Sequence, residues 1–246
     1  MLPRLAAILV LAAGLRGCLT YEYEHEFWLN VDGSGTVHVT GRPALWTAFK
    51  SLSKAEDPDG AAIRGAARAL FERAGLEVNR VTLSRRGGRR YLFVSADFED
   101  VNRLGGSTAF PDLEIRLKRE GDRLRLSGAW SRPMRAPDIG APDRDGLMAV
   151  RFHLPSKVYE HRNAADGVER GNILAWRQDV AQGLDGASLE FGALMGDRSI
   201  LFSTVTVFAG AILLAAAILG GTLLALARRG RKEMGLTAAG GGPRRG

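Results

Sequence analysis

The feature that most constrains this chain is an uncharged stretch near its C-terminus. Residues 199–227 contain no Asp, Glu, Lys or Arg, and their most apolar 23 residues would rise about 35 Å as a helix. A bilayer's hydrocarbon layer is about 30 Å thick, and a buried core helix of this length without a polar face is rare. The sequence therefore predicts one C-terminal transmembrane helix over 199–227.

The residues after this stretch indicate its orientation. Basic residues follow it directly: Arg228, Arg229, Arg231 and Lys232. Positive charges that flank a span stay on the cytoplasmic side of a membrane. We therefore predict a single-pass protein of the cell membrane, with an extracytoplasmic main domain and a basic, disordered cytoplasmic tail over 228–246.

The first 17 residues have the plan of an export signal. Arg4 precedes eleven apolar residues and then small ones, and eleven helical residues, about 16 Å long, are too short to span. Leu15-Arg16-Gly17-Cys18 resembles the lipobox, where bacterial lipoproteins are diacylated on the cysteine and cleaved. We predict a lipoprotein-type signal peptide over 1–17 and lipidation of Cys18. Because Arg16 departs from the small or apolar residue preferred before glycine, the alternative of an uncleaved chain with an unmodified thiol stays open.

The net charge of +7 does not indicate nucleic-acid binding. The excess of Lys and Arg lies within residues 1–17 and 228–246, whereas the intervening domain over 18–197 is close to neutral. Nucleic-acid-binding domains usually carry their basic residues on the folded body. With a single cysteine, the domain has no internal disulfide and depends on packing for its stability.

The domain over 18–197 begins with a predicted β-hairpin and two helices. Tyr21 to Asn30 alternate with a period of two, with three glutamates on one face, and a DGSG turn leads into the second strand. Helical spacing of apolar residues predicts one helix over 43–52 and another over 61–75.

The rest of the domain has the pattern of strands. Hairpins are predicted at 78–98 around RRGGRR and at 113–126, followed by a Pro-rich loop over 130–146 and strands at 147–154, 171–179 and 188–194. This order predicts an α+β domain, a mostly antiparallel sheet with two helices packed on one side.

The order of these parts resembles the LppM-type bacterial lipoproteins: a lipobox, an acidic first strand, a DGSG turn, a helical insert, a β-rich remainder with Trp176 near its end, and one C-terminal span with basic stop residues. The resemblance implies an α/β domain similar to the helix-grip folds, which binds lipid or glycolipid at the cell envelope. It assigns no binding residue.

The sequence contains no recognisable catalytic motif. There is no GxSxG elbow, SxxK pair or phosphate-binding glycine loop, so we predict no enzyme activity and no cofactor. His25 and His38 are expected to approach across the first hairpin, but without a third ligand we predict no metal site. The acids at 97–100 are expected to form a strand exit and a helix cap.

Two sets of residues are candidates for binding. Four arginines in the RRGGRR turn would match the phosphate oxygens of a lipid headgroup, or would form only a solvated turn: Arg85, Arg86, Arg89 and Arg90. Five apolar residues would line a lipid cavity, or would only pack the core: Trp46, Phe49, Phe71, Trp130 and Trp176.

These observations predict a membrane-anchored, exported binding module of the bacterial cell envelope, with lipid or another amphiphile as its ligand. The alternative is a structural or interaction protein of the envelope that binds a protein partner, not identified by the sequence, without catalysis. A hydrolase of envelope components is the weakest hypothesis, because no set of nucleophile, base and orienting residue is recognisable.

Overall fold

A computed structural model describes residues 21–46, 59–131, 144–164, 168–169 and 172–239. The chain divides into two compact units, Met1–Asp197 and Arg198–Gly246. The predicted signal peptide, the lipidation site at Cys18 and most of the Pro-rich loop lie outside the described residues.

The first unit is an α+β domain with two sheets. Its described strands are β1 (Tyr21–Leu29), β2 (Gly35–Gly41), β3 (Glu77–Arg86), β4 (Arg89–Phe98), β5 (Leu113–Glu120), β6 (Arg123–Trp130), β7 (Leu147–His153), β8 (Val158–Arg162), β9 (Val168–Glu169), β10 (Ile173–Asp179) and β11 (Leu189–Gly196). Sheet A has the order β3-β4-β2-β1-β7-β10-β9, and sheet B has the order β5-β6-β11-β8. Among the described pairings, only β1 with β7 is parallel.

Turn chemistry accounts for the three predicted hairpins, all of which are confirmed. In the first turn, the backbone N–H and the hydroxyl of Ser34 both donate to Asp32 Oδ1, at 3.0 and 2.7 Å. In the second, Gly87 and Gly88 both have positive φ, of 54° and 79°. Two consecutive positive φ values define the turn that matches the twist of paired strands.

The long helix of the domain is α1 (Ala61–Arg73), as predicted. Its buried residues Ile63, Ala67 and Phe71 recur every four positions and so form one stripe. The Arg68 guanidinium donates to the carbonyl of Val78 at 2.8 Å, which ties the helix to β3. A second, short helix, α2 (Val180–Leu184), follows β10 and was not predicted.

The helix predicted over 43–52 does not begin as expected. Pro43–Leu45 forms a single 3₁₀ turn, and Trp46 has extended backbone, with φ −97° and ψ 117°. The Trp46 ring is buried against Tyr23 and Phe71, and burial of an indole outweighs a weak local helix propensity. An α-helix is therefore wrong for residues 43–46, and residues 47–58 lie outside the described residues.

The second unit contains the helix α3 (Ile200–Ala239). Its segment Thr204–Leu224 has a mean hydropathy of 2.3, and none of it is buried. The segment is long and apolar enough to cross a membrane, as the sequence predicts. The helix continues through residues 228–239, which the sequence assigns to a disordered tail, because their Arg, Lys, Glu, Met, Leu and Ala residues favour helix.

Candidate functional site

The hairpin between β3 and β4 brings the four predicted arginines together. Arg85 lies opposite Arg90, and Arg86 lies opposite Arg89, at the two positions next to the glycine turn. We call these four residues the arginine tip. Like charges placed directly opposite on neighbouring strands repel each other. A bound anion would relieve this repulsion.

The four arginines have different surroundings. Arg86 lies over the ring of Tyr91, 5.2 Å from its centroid, and the Arg89 guanidinium lies 3.4 Å from the carboxylate of Glu22. Side chains alternate along a strand, so Arg85 and Arg90 occupy the other face of the hairpin. Arg89 therefore ties the hairpin to β1, and Arg86 packs on the hairpin itself, whereas Arg85 and Arg90 lie side by side on its other face.

Glu22 is the buried partner that holds this end of sheet A. It is 8% exposed, it accepts a hydrogen bond of 2.7 Å from the hydroxyl of Tyr91, and its carboxylate lies 2.9 Å from Nε of Arg42. A buried carboxylate is tolerated only when it is paired and hydrogen-bonded. Burial, followed by the bond to Glu22, raises the pKa of Tyr91. The phenol therefore stays protonated and keeps donating.

The outer face of sheet A carries a second polar cluster. Glu26 Oε1 lies 2.7 Å from Nε2 of His153 and 3.4 Å from Nη1 of Arg151. The other terminal nitrogen of Arg151 lies 3.4 Å from Glu24 Oε1. The three glutamates that the sequence places on one face of β1 therefore lie in an ion-paired surface, whose basic partners come from β4, β7 and the residue after β2.

The environments of Glu24 and Glu26 move their pKa values in opposite directions. Burial raises the pKa of Glu24 to about 6, although the charge of Arg151 acts in the other direction. Burial would also raise the pKa of Glu26, but the hydrogen bond from His153 and the charge of Arg151 outweigh it, so this pKa is lowered. Such pairs occur in acid–base sites. Here one guanidinium holds both carboxyls, and we interpret the cluster as a polar binding face.

Three of the five predicted apolar residues share one aromatic cluster. Trp46, Phe71 and Trp130 all pack around Tyr23 or each other, with ring centroids 4.7 to 5.6 Å apart. The cavity against this cluster has a volume of about 10 Å³, the size of a single water. These described side chains therefore pack the core at this place. Trp176 packs elsewhere, against Phe152 and Phe191, and Phe49 lies outside the described residues.

The expected approach of His25 and His38 is wrong. His25 pairs with Val39, whereas His38 pairs with Glu26, so the two histidines lie on opposite faces of sheet A. His25 is buried within the aromatic cluster, and His38 contacts Trp28 on the outer face. Within the described parts of the chain, no group of three or more His, Cys, Asp or Glu residues is arranged to hold a metal ion.

Of the acidic residues at 97–100, Asp100 forms the cap that the sequence predicts. The Asp100 side chain accepts a hydrogen bond from the backbone N–H of Asn102 at 2.9 Å and begins a 3₁₀ turn over Val101–Arg103. Asp97 accepts hydrogen bonds from Thr36 at 2.6 Å and from Asn79 at 2.9 Å. These carboxylates therefore stabilise the local structure.

Sequence reasoning missed the partners of the glutamates in β1. Alternation placed Glu24 and Glu26 on one face, but it carried no signal that Arg151 and His153 lie beside them, since β7 is distant in the chain. Charged residues on an isolated strand are normally solvent-exposed.

Comparison with known proteins identifies no relative: no family model and no curated protein matches this sequence.

Proposed function

We propose that this chain is a membrane-anchored binding module of the bacterial cell envelope, which holds a lipid or another amphiphile. One observation carries the proposal: a folded α+β unit shares its chain with an apolar helix, Thr204–Leu224, of which none is buried. A wholly exposed apolar helix of this length is stable in lipid and unfavourable in water. The domain therefore works at a membrane surface.

The sequence supports the finer parts of the proposal. The export signal and the basic residues after α3 favour an extracytoplasmic domain and a cytoplasmic tail, with lipidation of Cys18 as a second anchor. The helix α1 against β3 and β4 supports a helix-grip-like arrangement, as in the LppM-type lipoproteins that the order of parts resembles. We propose no catalytic residue.

The arginine tip is the proposed contact for the ligand's headgroup. Within the described part of the domain, before α3, Tyr159 is the only large hydrophobic side chain that is exposed. The described surface therefore favours electrostatic over apolar contact with an amphiphile. Guanidinium groups donate two parallel hydrogen bonds to phosphate oxygens, and Arg85 opposite Arg90 provides two such groups side by side.

The test is native mass spectrometry of the full chain, extracted from membranes in a mild neutral detergent, followed by lipid analysis of the same sample. The variant Arg85→Gln/Arg90→Gln is compared with the control Arg73→Gln/Arg80→Gln, which removes the same charge from exposed positions outside the tip. We expect a stoichiometric lipid on the wild type and on the control. The tip variant should retain on the order of tenfold less, the effect of losing a charge-assisted hydrogen bond.

Two results would contradict this proposal. If the wild-type chain carries no lipid, an amphiphile is not its ligand. If the tip variant retains as much lipid as the control, the arginine tip is not the contact. Circular dichroism of both variants verifies that each is folded.

A second function, the binding of a protein partner in the envelope, is favoured by the outer face of sheet A. This face carries the ion pairs of Glu24 and Glu26 with Arg151 and of Glu26 with His153. A polar protein partner would find both acceptors and donors on this face. Cross-linking in intact membranes tests this function: a discrete protein adduct supports it, and the absence of any adduct contradicts it.

A further inference from the structure

We propose that the outer face of sheet B carries a separate site for the oxyanion group of a small ligand, either a phosphate or a carboxylate. This face has a depression of about 310 Å³, lined by side chains that include Arg125, Ser127, Arg162 and Gly192. It lies on a different sheet from the arginine tip. The inference is therefore independent of the function proposed above.

The strand register produces the depression. On the outer face, Arg116, Ser127, Gly192 and Arg162 stand in one row across all four strands. The row has long guanidinium side chains at both ends and the two smallest residues in the middle. A ligand group lying over Ser127 and Gly192 would meet the Ser127 hydroxyl and the two guanidiniums that line the depression, those of Arg125 and Arg162.

Packing does not explain the glycine at position 192. A Cβ added there would lie 3.5 Å from the carbonyl of Leu126 and 3.8 Å from Arg162, which are ordinary contacts. At the nearby Gly128, by contrast, an added Cβ would lie 2.2 Å from the carbonyl of Glu114. Glycine inside a strand weakens it, and it often marks a bulge, a bend, or a place where a ligand or another backbone approaches closely. Gly192 keeps the floor of the depression open.

Two guanidiniums line the depression, and each is paired with a glutamate. Arg125 lies 2.8 Å from the carboxylate of Glu120, and Arg162 lies 2.6 Å from that of Glu190. The arginine side chains are 46% and 70% exposed, and exposed ion pairs contribute little stability. Both guanidiniums can therefore turn to a ligand at small cost. Glu160 also lines the depression, so a ligand with one anionic group fits better than a polyanion.

The backbone of β8, which carries Arg162 and forms one wall of the depression, is held in place without a ligand. The indole N–H of the buried Trp176 donates to the carbonyl of Arg162, and Gly192 pairs with the same residue in the register of β11 and β8. A wall that is already ordered loses less conformational entropy on binding. The depression is therefore a preformed feature of sheet B.

The experiment titrates the full chain, in a neutral detergent, with inorganic phosphate and separately with succinate. Calorimetry gives the affinity, and the midpoint of thermal unfolding gives the stabilisation. Sodium chloride at equal ionic strength is the control for a general salt effect. Two variants change the site, Gly192→Val on its floor and Arg162→Gln in its wall. Gly196→Ala adds a side chain to the same strand outside the lining, where a Cβ also fits.

We expect at least one of the two anions to bind to the wild type and to Gly196→Ala alike. Gly192→Val and Arg162→Gln should bind it on the order of tenfold more weakly, the effect of one charge-assisted hydrogen bond, while they unfold cooperatively as the wild type does. Binding of phosphate alone assigns a phosphate ligand, and binding of succinate alone assigns a carboxylate. The proposal is overturned if neither anion acts differently from chloride, or if Gly192→Val binds as tightly as the wild type.

Discussion

His25 is a histidine placed where it cannot take up a proton at ordinary pH. It is 1% exposed, its Nε2 lies 2.9 Å from the hydroxyl of Tyr23, and its ring stacks on Trp130 at 4.4 Å. Its Nδ1 makes no hydrogen bond among the described residues. Burial lowers the pKa of His25 to about 3, so the neutral ring behaves as part of the aromatic core.

The first prediction is that His25 makes the domain sensitive to acid. Below its usual pKa of 6.5, His25 takes up a proton in the unfolded chain but not in the fold, whose pKa is about 3. Stability is therefore lost as the pH falls from 6.5, by about 2 kcal/mol at pH 5. We expect His25→Phe to lack this loss in denaturant titrations followed by tryptophan fluorescence. The control His161→Gln, at an exposed histidine, should keep it.

The second prediction concerns Glu24, whose effect has the opposite sign. Its pKa is raised from 4.5 to about 6 by burial, so the folded chain binds more protons than the unfolded chain between these values. The domain therefore gains about 1 to 2 kcal/mol as the pH falls from 6 to 4.5. Carboxyl ¹³C NMR, assigned with Glu24→Gln, should show a midpoint near 6. A midpoint at or below 4.5 would contradict the buried position of this carboxyl.

At the scale of elements, α1 depends on one aromatic side chain. Phe71 is fully buried and meets Trp46 and Phe110, with ring centroids 5.6 Å away in both cases. The third prediction is that Phe71→Ala lowers the free energy of unfolding by about 3 to 5 kcal/mol, because it leaves a cavity. Arg73→Ala, at an exposed position of the same helix, should change it by less than about 0.5 kcal/mol. Equal effects would show that the helix is not packed through Phe71.

Local signals in the sequence predicted the elements that depend on neighbours in the chain. Gly87 and Gly88 indicated their hairpin because two consecutive glycines readily adopt the positive φ values of the favoured two-residue turn. The extended backbone of Trp46 was not predictable, because the burial that favours it is provided by Tyr23 and Phe71. The short strand β8 was missed because its exposed residues lack a buried face.

The candidate sites were less predictable than the fold. The arginine tip is local in sequence and was predicted, whereas the row through Gly192 exists only in the register of four strands. The wrong prediction that His25 and His38 approach each other also arose because the strand register was unknown. One residue of register decides whether His38 lies opposite His25 or opposite Glu26, and each choice puts the ring on a different face. Alternation alone does not define that register.

At the scale of the whole molecule, the function proposed above gives the chain two attachments to the membrane. One is the helix Thr204–Leu224, which is long and apolar enough to cross it, and the other is the lipid predicted on Cys18. The fourth prediction uses four forms of the chain: the wild type, Cys18→Ser, a stop codon after Asp197, and both changes together. We expect membrane fractionation to find only the double change in the soluble fraction, since either attachment alone retains the chain. Release by the stop codon alone would show that Cys18 carries no lipid.

The position of β1 has a consequence for the order in which the domain folds. This strand is fourth of seven in sheet A, and Phe27 pairs with Val37 on one side but with Phe152 on the other. Contacts between such distant residues form slowly, because a long loop must close first. In the export proposed above, the chain would be threaded through a channel from its N-terminus while unfolded. The strand β1 would then emerge first and remain unpaired along one edge until β7 has followed it across.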